Sequence, residues 1–144
     1  MTQVDFYILP NDSSEERLRF ACRITDKALQ QGQHVLINTD SPAESAKLDD
    51  LLWTFSQGSF IPHRVIETTA SKGIAEPVLI GCGIAPVSED SQVLINLAGA
   101  VPEFFSRYRR IAEVVDGNDL RRTQGRERFR FYRDKGCEPQ THQM

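Results

Sequence analysis

The chain has 144 residues, 40% of them hydrophobic and 26% charged, with a net charge of −3. That length suits one domain with a single core, and the acidic balance argues against bulk nucleic-acid binding, which wants a broad positive field. No apolar run approaches the ~20 residues needed to cross a bilayer, and no basic stretch followed by an apolar one opens the chain, so the expected location is cytoplasmic.

Val4 to Leu9 reads as a strand of β-branched and aromatic residues, closed by Pro10-Asn11-Asp12. Ser13 then caps a helix, with Glu16 three positions on. Leu18, Ala21, Cys22, Thr25, Ala28 and Leu29 form its buried stripe and Gly32 stops it. Val35-Leu36-Ile37 is a continuous apolar run, as expected of a strand covered on both faces. Ser41-Pro42-Ala43-Glu44 opens a second helix with the stripe Leu48, Leu51, Leu52 and Phe55. Between Thr54 and Ser71 the period is broken by Gly58 and Pro62, and no element is predicted there. Further strands are predicted at Pro77–Gly81, Val93–Leu97 and Ala112–Asp116, a short helix at Val101–Tyr108, and a basic helix after Gly117-Asn118-Asp119. The residues after Gly136 are polar and read as a flexible tail.

Strands alternating with helices predict an α/β fold: a single three-layer domain over residues 1–136 around a mostly parallel five-stranded sheet, with a tail at 137–144. Cys22, Cys82 and Cys137 are odd in number and have no C-x-x-C spacing, so neither a disulfide framework nor a zinc site is expected. The loop after the first strand holds no glycine, and no phosphate-binding loop occurs anywhere. Gly81-Cys82-Gly83 is a lone G-x-G, better read as a turn than as a phosphate cradle. His34, His63 and His142 form no pair with ligand spacing, and no G-x-S-x-G elbow is present. No cofactor is expected.

The informative feature lies late in the chain. Residues 104–144 hold ten Lys+Arg against six Asp+Glu, while the preceding 103 hold seven against fourteen. At about 100° per residue, Arg122, Arg126, Arg130 and Arg133 share one helical face, and Phe129 lies among them. Leu120 and Phe131 fall opposite. A solvated charged face is the ordinary reading of such a run. A ring set among guanidinium groups also suits a ligand with an apolar tip and acidic neighbours.

Three blocks together resemble the chi subunit of bacterial DNA polymerase III. They are Phe6-Tyr7-Ile8-Leu9; Leu52-Trp53-Thr54 followed by Phe60-Ile61-Pro62-His63; and Val114-Val115-Asp116 leading into Arg126-Glu127-Arg128-Phe129-Arg130-Phe131-Tyr132-Arg133. The link between the two parts of the third block is a few residues shorter than in some members. The resemblance implies a Rossmann-like fold without a phosphate loop and a non-catalytic accessory subunit of the clamp-loader assembly. It implies two partners: the psi subunit, which tethers chi to the clamp loader, and the acidic C-terminal tail of single-stranded DNA-binding protein (SSB), which ends in a phenylalanine carboxylate. Arg122, Arg126, Phe129, Arg130 and Arg133 would hold that tail. Trp53 and Phe60 would face psi, with core packing as the alternative for Trp53, and His63 would order its own loop. The rival readings are a small nucleotide- or phosphate-binding α/β enzyme using Gly81-Cys82-Gly83, and weak direct contact with DNA.

Overall fold

A computed structural model of the chain describes residues 2–54, 61–67, 76–86 and 92–144. Among these, seven strands form one sheet: β1 (Gln3–Ile8), β2 (Val35–Asn38), β3 (His63–Val65), β4 (Val78–Gly81), β5 (Val93–Asn96), β6 (Arg110–Val115) and β7 (Gln140–Gln143). Their order is β3-β4-β2-β5-β6-β1-β7, and every pairing is parallel. The α/β class holds, but the sheet has seven strands where the sequence predicted five. Both additions are edge strands. β3 is half-buried to exposed and β7 wholly exposed, so neither needs the apolar pattern that marks a strand in sequence.

The segment after Gly136 is therefore not without structure. Gly136 ends the last helix at φ 90°, a left-handed conformation that glycine adopts without a Cβ penalty. The Cys137 amide donates back to the Tyr132 carbonyl at 3.0 Å. The chain then returns to pair residues 140–143 with Asp5–Ile8 of β1.

Helices α1 (Ser14–Gln30), α2 (Pro42–Thr54) and α3 (Asp119–Asp134) complete the layers. Ser13 Oγ accepts from the Glu16 amide at 3.2 Å and Ser41 Oγ from the Glu44 amide at 3.1 Å, so both predicted caps form. The helix expected at Val101–Tyr108 is reduced to one 3-10 turn, Phe105–Arg107. Phe104 and Phe105 there pack against the α3-side core instead of extending a helical stripe. Phe55, assigned to the α2 stripe, lies outside the described residues.

Alternation along each strand divides the core into two layers. Val35 and Ile37 of β2 pack with Ala21, Cys22, Leu48 and Leu52 beneath α1 and α2. Leu36 between them joins Val4, Phe6, Leu94 and Tyr132 on the α3 side. Burial pushes the Cys22 thiol up to about 12, as suits an inert core residue.

The α3 layer is keyed to the sheet by a buried carboxylate. Glu113 stands inside β6 with no exposed surface. Arg128 Nε donates to its Oε1 at 2.9 Å, and Tyr132 Oη and Asn96 Nδ2 donate to its Oε2 at 2.6 and 2.9 Å. Asn38, Asn96 and Glu113 are register partners on β2, β5 and β6, so the polar row crosses the sheet, with Asn38 Nδ2 donating to Asn96 Oδ1 at 3.0 Å. Burial raises the Glu113 carboxyl above its ordinary range while the Arg128 charge pulls it down. Removing one partner of such a pair leaves a charge buried without compensation. Glu113→Ala should lower the unfolding free energy by about 3–5 kcal/mol in urea denaturation. A loss below about 1 kcal/mol would mean that α3 is held by its apolar contacts alone.

Candidate functional site

α3 begins where the chain leaves β6. Gly117 passes so close to the β1–α1 loop that a Cβ there would meet the Asn11 carbonyl carbon and the Asp12 nitrogen at 2.9 Å. Asn118 caps the helix, its Oδ1 accepting from the Arg121 amide at 3.1 Å. Asp116 then takes both arms of Arg121, each at 2.7 Å. Burial by itself would raise the Asp116 carboxyl, but the Arg121 hydrogen bonds and charge outweigh it and hold the group below its ordinary value.

Along the helix, Gly125, Arg128 and Tyr132 form the buried line. The missing side chain of Gly125 lets the helix settle on Val115, whose Cγ2 would lie 3.2 Å from an added Cβ. Leu120 is 66% exposed and Phe131 37%, so the face that carries them is not the one that meets the sheet. Phe131 instead meets Phe105 edge to face at 5.5 Å. Arg128 lies two positions, about 200°, from Arg126, so it turns toward the sheet while Arg126 turns away. That offset and an acid at Glu113 set between the apolar Ala112 and Val114 were the available signals for the Arg128–Glu113 pair.

The remaining face of α3 borders a cavity of about 430 Å³, enclosed by α3 and by β1 and β7. Arg122, Arg126, Phe129, Arg130 and Arg133, the five residues singled out in the sequence, all line it. Phe6 and Ile8 of β1 and Thr141 and Gln143 of β7 supply the other wall, and none of these four was foreseen. Phe129 packs on Phe6 with ring centroids 5.4 Å apart and planes tilted by 55°. Four guanidinium groups and no carboxylate border the cavity. Its volume falls within the roughly 300–1,000 Å³ of small-ligand pockets. Such a site can receive an anion through forked hydrogen bonds and seat an apolar group on the rings.

The second predicted patch lies at the other end of the sheet. Trp53, in the last turn of α2, is 57% exposed, so the core-packing alternative does not describe it. Its ring meets His63 at 5.0 Å, near edge to face. His63 Nδ1 meets the Ile61 carbonyl oxygen at 2.7 Å, and its Nε2 lies 2.8 Å from Asp49 Oδ1. Phe60 lies outside the described residues. β3, beside Trp53, and β7, beside the α3 cavity, are opposite edges of the sheet.

At the Gly81-Cys82-Gly83 turn, the Gly83 amide already donates to Asn38 Oδ1 at 2.9 Å, and a Cβ on Gly81 would meet the Ile84 carbonyl oxygen at 2.7 Å. The turn is filled by its own chain. Among the described residues no group of three His, Cys, Asp or Glu side chains gathers to hold a metal, and no helix is long and apolar enough to cross a membrane.

Residues 1–140 match the family model for the DNA polymerase III chi subunit, HolC. The chain belongs to that family. It is 38% identical to the DNA polymerase III subunit chi of Pseudomonas aeruginosa over 144 residues, covering all of this chain and 98% of the relative. To the Escherichia coli K12 subunit chi it is 27% identical over 140 residues, covering 94% of each. Membership places the chain in DNA replication as a subunit of DNA polymerase III. Among solved structures it resembles T4 UvsW, with a TM-score of 0.66 at 9% identity over 99% of this chain and 42% of that one. Domain 2 of the Mss116p DEAD-box helicase, solved bound to an RNA duplex, gives 0.63 at 8% identity over 96% of this chain and 63% of that one. At such identities the likeness is one of fold alone.

The Asp116–Arg121 pair sets a pH dependence. A carboxyl lowered on folding contributes stability above its unfolded value near 3.8, and that stability is lost as pH falls through the lower folded value. Arg121→Ala removes the cause of the lowering, so acid unfolding followed by circular dichroism should begin at higher pH than in the wild type. An unchanged midpoint would remove the pair from the account of how α3 is anchored.

Proposed function

We propose that this chi-family chain is a non-catalytic, cytoplasmic accessory subunit that bridges the psi subunit to the acidic C-terminal tail of SSB, meeting DNA only indirectly. The observation that carries the reading is the α3 cavity, in which four arginines surround two phenylalanine rings and no acid intervenes. On a chain of net charge −3, so local a positive site fits a short acidic ligand better than a nucleic-acid duplex. A tail ending in a phenylalanine carboxylate matches both halves. Its ring would lie against Phe129 and Phe6, and its carboxylates would meet Arg122, Arg126, Arg130 and Arg133. Each tail would bind modestly, and several tails on one SSB tetramer would add avidity.

Trp53 supports the second half of the proposal. An exposed tryptophan braced by a fixed histidine is a suitable anchor for a protein partner. Phe60 is proposed to act beside it on the grounds of the family resemblance. With the two patches at opposite sheet edges, one partner need not displace the other.

Fluorescence polarisation with a labelled acidic peptide ending in Pro-Phe tests the first site. Wild-type protein should bind it with micromolar affinity that weakens as salt is added. Arg126→Ala should weaken binding at least tenfold, as expected from the loss of a charge-assisted hydrogen bond of about 1.5–3 kcal/mol. Trp53→Ala should leave peptide binding intact and reduce co-purification with psi. Loss of both partners in both variants would overturn the two-site assignment.

A further inference from the structure

A second cavity, of about 400 Å³, lies on the opposite face of the sheet from the α3 groove. Arg23 and Lys27 of α1 and Arg110 of β6 bring three positive charges to its lining. Among the described side chains that line it Asp5 is the one carboxylate, already engaged by His142 Nε2 at 2.9 Å and by Arg110 at 3.6 Å, and Met144 at the end of the chain lines it too. Phe20, Ile24 and Ala28 add apolar surface, and the Arg23 guanidinium sits 5.3 Å over the Phe20 ring.

The two cavities share a border. Phe6 and Ile8 of β1 line the α3 groove, while the alternating residues Asp5 and Tyr7 line the second cavity. On the outer strand, Thr141 and Gln143 face the groove, and His142 stacks on Tyr7 at 5.0 Å on the other side. The wall they share is β1, and outside it β7 is the last strand of the sheet. About six extended residues span roughly 20 Å, enough to pass around such an edge.

The lining discriminates between anions. Arg23 and Lys27 are one helical turn apart on one face of α1 and Arg110 stands on β6, so the positive charges come from two elements along the cavity. The cavity also borders the C-terminal half of α1, whose carbonyl end disfavours a compact polyanion. Separate carboxylates, interleaved with an apolar side chain for Phe20 and Ile24, fit better.

We propose that this cavity takes an acidic stretch of the same polypeptide tail whose tip enters the α3 groove, the tail crossing the β7 edge between the two. The inference rests on the α3-groove reading above and adds a second contact to it. The test uses the full chain and two labelled probes. The short probe is an acidic tip ending in Pro-Phe; the long one adds about twelve upstream residues in which Asp alternates with Leu, roughly 40 Å when extended. Wild-type protein should bind the long probe about tenfold more tightly than the short one. The double substitution Arg23→Glu, Lys27→Glu, on two exposed side chains, should abolish that gain and leave the short probe unaffected. Replacing the upstream Asp by Asn should abolish the gain equally. If the gain survives charge reversal, the second site is overturned while the α3 groove stands. If the wild type binds neither probe, the groove reading fails and the inference with it.

Discussion

The arrangement depends on a carboxylate that has no access to water. Glu113 lies between apolar neighbours in β6, and an unpaired charge there would be prohibitive. Arg128, Tyr132 and Asn96 together make it tolerable. Two of those three donors belong to α3, so satisfying Glu113 also fixes the rotation and height of that helix on the sheet. A buried apolar contact could hold α3 with comparable strength but would allow it to slide. The directional requirement of hydrogen bonds does not.

Fixing that rotation determines what the outward arginines can do. With Arg128 directed inward, Arg122, Arg126, Arg130 and Arg133 are left along the groove beside β1, and Phe129 closes on Phe6. Four like charges on adjacent turns repel one another, a cost of a few tenths of a kcal/mol per pair on an exposed helix. The rest of the fold tolerates this because Asp116 and Glu113 anchor the helix beginning and middle from the sheet side. The groove is therefore a concentration of like charge on a helix held in place by buried acids.

The sheet order gives the two patches their separation. β3 and β7 are the last strands on either side, and Trp53 and the arginine groove sit beside them. Opposite edges of one parallel sheet keep the two patches apart. The same sheet explains the likeness to T4 UvsW and to domain 2 of Mss116p, with which the chain shares fold and little sequence.

Local chemistry determined much of this in advance. The caps at Ser13 and Ser41, the apolar runs Val35–Ile37, Val78–Ile80 and Val93–Ile95 and the arginine face of α3 all follow from residues near one another in the chain, where periodicity and hydrogen-bonding reach are short-range. The five groove residues on α3 were legible for that reason. Tertiary structure alone decided the rest. Gln140–Gln143 carries no apolar period and becomes a strand only because β1 offers it an edge. Phe6, Ile8, Thr141 and Gln143 joined the groove because strands over a hundred residues apart in sequence are neighbours in the sheet. Arg128 could be recognised as structural only once Glu113, fifteen positions earlier, faced it. Pairings of that kind depend on the sheet order, and no local pattern encodes it.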